Sequence, residues 1–140
     1  MPRLAIVLVL LGAFLTMTAA SAGAVVRIDR IQYDSSGPDD GSNTSLNAEW
    51  IRLENTGSKA VKLKGWSIRD AAGHVYRFGT FSLFAHNLVT IHTGHGSNSS
   101  HHRYWGSGSY IWNNDGDTAT LKRANGPWRI SVTTRAAAPR

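Results

Sequence analysis

Residues 49–70, EWIRLENTGSKAVKLKGWSIRD, decide the fold. Within Glu49–Asn55, Ile51 and Leu53 point to one side and Trp50, Arg52 and Glu54 to the other. A period of two belongs to a strand with one face in a core and one in water. Asn55-Thr56-Gly57-Ser58 has turn chemistry: Gly57 tolerates positive φ, and the Asn55 side chain can bond its own backbone. Val61 and Leu63 restart the alternation, with Lys62 and Lys64 opposite. The stretch therefore predicts two strands joined as a central hairpin. After Gly65 the apolar parity passes to Trp66 and Ile68, which predicts a bulge or a bend onto a second sheet.

Outward from this stretch the same pattern recurs in short pieces. Val25–Tyr33 alternates through Val26 and Ile28, then through Ile31 and Tyr33 after a parity shift, and reads as the first strand. Asp34–Asn47 has almost no apolar side chain and reads as a long exposed loop. Ala71-Ala72-Gly73 reads as a second turn, followed by the short strand His74–Phe78 with Val75 and Phe78 as its buried residues. Phe81–Phe84 and Leu88–His92 are further apolar segments, and Thr93–Arg103 is a second long loop rich in Gly, Ser and His. Asn113-Asn114-Asp115-Gly116 is a strong turn signal, in which Asp115 is expected to shape the turn and Asp117 to cap backbone amides. Thr118–Lys122 and Trp128–Val132 are strands joined by the turn Ala124-Asn125-Gly126. No helical periodicity follows residue 22. Many short strands between turns predict an all-β sandwich or barrel.

The amino terminus differs from the rest. Arg3 precedes the apolar run Leu4–Leu15, and small residues end in Ala20-Ser21-Ala22. That order is the pattern of a secretory signal peptide over residues 1–22, cut after Ala22 or, as second choice, after Ala24. A sandwich over residues 23–134 and a frayed tail over 135–140 are expected, with the product secreted and without a membrane span. The chain of 140 residues has no Cys, which excludes zinc-ribbon, thiol-redox and cysteine-nucleophile chemistry. A formal charge of +6 favours anionic partners.

Taken in order, these segments resemble the lamin-tail domain family. The matching pieces are Glu49-Trp50-Ile51-Arg52-Leu53-x-Asn55, Leu63-x-Gly65-Trp66-x-Ile68, Tyr76-Arg77-Phe78, Leu88–Gly94, Tyr104-Trp105-Gly106, and Trp112-Asn113-Asn114-x-Gly116-Asp117-Thr118-Ala119-x-Leu121. They run in family order across roughly residues 25–126. The resemblance, to the bacterial secreted branch in particular, implies an immunoglobulin-like β-sandwich with an interaction role and no catalytic residues to carry over. Where the family usually places Pro or Gly before the Leu88 strand, this chain has Phe84-Ala85-His86-Asn87, so Asn87 is expected to supply the left-handed residue.

His92, His95, His101 and His102 fall close together, but no H-E-x-x-H or comparable spacing is present, and no metal is expected. Asp34, Asp39, Asp40 and Asn43 do not meet the calcium-loop pattern and read as turn residues. No G-x-S-x-G elbow, P-loop or dinucleotide fingerprint occurs, so the chain reads as a non-enzyme without cofactor. Trp105 and Trp112, with Tyr104 and Tyr110, read either as an exposed ledge for sugars or bases or as a second mini-core. Three binding readings follow. The first is a protein- or cell-envelope-interaction module using edge strands and the two long loops. The second is a nucleic-acid-binding module using Arg52, Lys62, Lys64, Arg69 and Lys122. The third is a glycan-binding module using Trp105 and Trp112.

Overall fold

A computed structural model describes residues 25–126 and the backbone of 128–133. The expected signal segment, residues 1–22, and the tail, 135–140, lie outside the described residues.

Among the described residues, ten strands and one short helix follow in the order β1 (Val26–Gln32), α1 (Asn43–Ala48), β2 (Trp50–Asn55), β3 (Val61–Lys62), β4 (Ser67–Arg69), β5 (Val75–Arg77), β6 (Ser82–Leu83), β7 (Leu88–His92), β8 (His102–Tyr104), β9 (Thr118–Lys122) and β10 (Trp128–Thr133). One sheet has the order β1-β2-β7-β8 and the other β10-β9-β4-β5, with β3 and β6 forming a two-stranded piece. The chain is an immunoglobulin-like β-sandwich. Its core gathers Ile51 and Leu53 of β2, Val89 and Ile91 of β7, Ile68 of β4, and Ala119 and Leu121 of β9, all at most 1% exposed. In β2, β7 and β9 every second residue supplies this core, because successive side chains alternate across a sheet.

Several sequence expectations take concrete form. The parity shift in the first strand is a register break between Ile28 and Arg30, which lets Ile28 and Ile31 both face inward. Gly65 stands at φ +81, a left-handed conformation that glycine adopts without strain, and the chain there leaves β3 for the second sheet.

Other expectations are corrected. The central hairpin does not form: β2 pairs with β1 and β7, and β3 pairs with β6. Both edges of β2 are taken, so the strand after Asn55 finds its partner elsewhere, in β6. The loop 34–47 contains α1, whose N-cap Ser42 accepts a bond from the Ser45 amide. Six residues are too few to display a 3.6-residue period, but they suffice to bury Ser45 and Leu46. Val75 is 45% exposed, because β5 turns Tyr76 and Phe78 inward instead. Thr93–Arg103 is not all loop, since β8 begins at His102 and runs parallel to β7. His86, not Asn87, takes the left-handed position, at φ 59. The Asn113 side chain, not that of Asp115, shapes the turn at 113–116: its Oδ1 accepts from the Asp115 amide at 2.9 Å.

Candidate functional site

The register places β1's end, the start of β2, the end of β7 and the start of β9 at one end of the sandwich. Here the segments 34–48, 93–96 and 105–117 meet, so the two long loops singled out in the sequence touch, before residues 99–101 run back beside Thr90 and Leu88. Asn43 and Asn47 lie one turn apart on α1, so their side chains share a face. Both Nδ2 groups donate to the His95 carbonyl at 2.9 Å, and the Asn43 Oδ1 accepts from the His95 amide at 2.7 Å. Gly94 permits this approach, since a Cβ there would strike the Asn43 Oδ1. The Tyr110 hydroxyl meets Ser45 Oγ at 2.6 Å and accepts from the Gly41 amide at 3.2 Å. Asp39 accepts from Ser35 and from the Asn114 side chain, both at 2.8 Å.

Beneath this face lies Glu49, which is 0% exposed. Its Oε1 accepts from Thr93 Oγ1 at 2.6 Å and from the amides of Ile111 and Trp112 at 2.8 and 3.1 Å. Burial pushes the carboxyl above its ordinary range, and these three donors pull it back only in part. One side chain thus fixes two connecting segments against β2. Sequence reasoning missed it, although Glu49 has the parity of Ile51 and Leu53: an acid on an inward row was the available signal. Asp117 plays a related role. It is 8% exposed and accepts from the amides of Ala71, Asn113 and Thr118, as a cap at a strand start should. A cleft of about 510 Å³ opens beside it, lined by Ala71, Tyr110, Trp112, Asn113 and Thr118 among others.

The histidines do not converge. The His92 Nδ1 lies 2.9 Å from the Asn47 carbonyl, and a carbonyl can only accept, so Nδ1 carries the proton. The His92 Nε2 lies 3.0 Å from the His102 Nδ1 and shares a proton with it, so both nitrogens of His92 are engaged in hydrogen bonds. Among the described residues no group of three or more His, Cys, Asp or Glu is placed to hold a metal ion.

The aromatic ledge is overturned. Trp112 is 2% exposed and belongs to the core, and the half-buried Trp105 packs edge-on against it at 5.9 Å. Tyr76 joins Trp105 at 5.7 Å and Phe78 at 5.0 Å. Arg103 lays its guanidinium 4.2 Å from the Phe81 ring centroid. Large rings close the side between the edge strands β8 and β5, where no ladder of hydrogen bonds can.

The basic candidates are divided among separate surfaces. Arg52 lies on the outer face of the first sheet, bonded to Asp29 at 2.6 Å and 5.4 Å from the Trp50 ring. Lys62 is exposed on β3, and Lys64 in the bend after it. Arg69 and Lys122 are on the second sheet's outer face, with Arg77.

The family model of the Lamin Tail Domain matches residues 19–135. The chain belongs to the lamin tail domain family. The lamin tail domain is a non-catalytic domain family. A search of curated proteins finds no match. Within this lamin tail domain, then, the loop end fastens three separate connecting segments into a single surface.

Proposed function

We propose that the chain is a secreted, non-catalytic interaction module of the bacterial branch of its family, and that it presents the loop end to a protein or cell-envelope partner. The clamp of Asn43 and Asn47 on the His95 peptide supports this reading most strongly. Loops fixed before binding lose little conformational freedom on association, so their contacts count towards affinity. The test is a pull-down from the envelope fraction of the producing cell with the full chain as bait. A partner retained by the wild type and by Arg69→Ala, but lost with the pair Asn43→Ala and Asn47→Ala, supports the loop end. A partner insensitive to the pair counts against it.

A second reading has its own observation. β4, β5, β9 and β10 contain no acidic residue, and Arg69, Arg77 and Lys122 share their outer face. A carboxylate-free face suits a nucleic-acid backbone. Binding to duplex DNA that falls steeply with salt, and weakens on Arg77→Ala, supports it. No binding at low salt removes it.

A further inference from the structure

We propose that the opposite end of the sandwich, around Val25, contacts an anionic lipid bilayer. Of the three large hydrophobic side chains that are strongly exposed among the described residues, two sit here: Phe84, 59% exposed, and Leu88, 37% exposed. Phe84 opens a turn closed by the Asn87 amide on its carbonyl at 3.2 Å, with His86 held left-handed at the third position. His86 is the single non-glycine residue at positive φ among those described, and backbone strain of that kind gathers at functional turns.

Cations surround this apolar tip. The Asn55 Nδ2 donates to the carbonyls of Lys59 and Leu83 at 2.8 and 2.9 Å, which sets the Lys59 bend beside the Phe84 turn. Lys62 pairs in register with Ser82, two residues from Phe84. Both lysines are exposed, and neither forms an ion pair among the described residues. The nearby carboxylate, Glu54, is held by Arg27. The exposed acids Asp34, Asp39, Asp40 and Asp115 are instead on loops of the far end, so charge is polarised along the sandwich.

The chain's course agrees. The Val25 carbonyl accepts from the Thr56 amide at 2.8 Å, so the sequence that follows the apolar run Leu4–Leu15 enters the domain at this end. An apolar cleft of about 260 Å³ lies between Val25, Gly57, Lys59 and Val61. Two apolar side chains are far short of the roughly 1,000 Å² a specific protein interface requires. A bilayer needs only a few inserted apolar groups and a basic rim.

The absence of cysteine makes a single nitroxide label clean. The full chain carries it through Ser58→Cys at this end or Ser97→Cys at the loop end, with vesicles of phosphatidylcholine alone or mixed with phosphatidylglycerol. In the mixed vesicles the label at 58 becomes accessible to oxygen and shielded from a water-soluble nickel complex, while the label at 97 stays in water. Lys59→Ala and Lys62→Ala each reduce the lipid-contacting fraction of the label at 58 about fivefold, and Phe84→Ser returns it to water. A label at 58 that stays in water overturns the proposal. So does one that enters phosphatidylcholine equally well, or is indifferent to the lysines, because a tether through the amino-terminal segment alone ignores headgroup charge.

Discussion

The inward row of β2 ends in a polar residue on each side, and the two ends of the molecule differ in what those residues do. Glu49, Ile51, Leu53 and Asn55 are all 0% exposed. At the loop end, Glu49 accepts from one hydroxyl and two amides, and α1 clamps the neighbouring loop. At the Val25 end, Asn55 donates to Lys59 and Leu83 and accepts from the Gly57 amide, but among the described residues no helix covers the result. One end is closed over by polar groups, and the other leaves Phe84 and Leu88 in view. A buried polar side chain must be satisfied, so each one dictates the path of the chain around it.

The largest expected effect comes from breaking the loop end. Glu49→Ala orphans Thr93 and two buried amides, and should destabilise the fold by about 3 kcal/mol in urea titration. Asn55→Ala breaks the other end and should cost about 2 kcal/mol, without disturbing amides in 93–117. A loss of protection at Ile111 in this variant would show that the ends are not independent.

Removing the helix clamp is a smaller perturbation. Asn43→Ala with Asn47→Ala should cost about 1 kcal/mol and speed hydrogen exchange at His95, leaving the Val25 end unchanged. The smallest change sharpens the contrast by relaxing strain: His86→Gly should raise the free energy of unfolding by about 0.5 kcal/mol, since glycine tolerates a φ of 59.

The Glu49 comparison also has a pH signature. The carboxyl is raised in the fold, so the folded chain holds this proton more tightly than the unfolded one. Its contribution is complete below the ordinary pKa of 4.5 and is lost as pH rises through the raised value. Stability measured against Glu49→Gln should therefore fall relative to the variant as pH rises from about 4.5 towards neutrality. A constant difference would mean that burial leaves this carboxyl unshifted.

What the sequence disclosed follows from what is local. Alternation in Glu49–Asn55 and the change of parity at Gly65 depend on near neighbours, and both appear in the sandwich as expected. Pairing is not local. Asn55-Thr56-Gly57-Ser58 specifies a bend but not the partner of the next strand, so β3 was assigned to the wrong neighbour. Trp112 shows the same limit, because an aromatic residue among glycines reads alike whether it faces water or a core. The loop end was visible only as two polar stretches. Its clamp joins residues 43 and 47 to residue 95, and nothing in either stretch names the other.

Residue-resolved amide hydrogen exchange on the full chain tests most directly whether the loop end is built before any partner arrives. The amides of His95, Ile111 and Trp112 donate to Asn43 and Glu49, and should exchange as slowly as those of the central strand β2. Exchange at the rate of an unstructured peptide at these three positions would contradict the account.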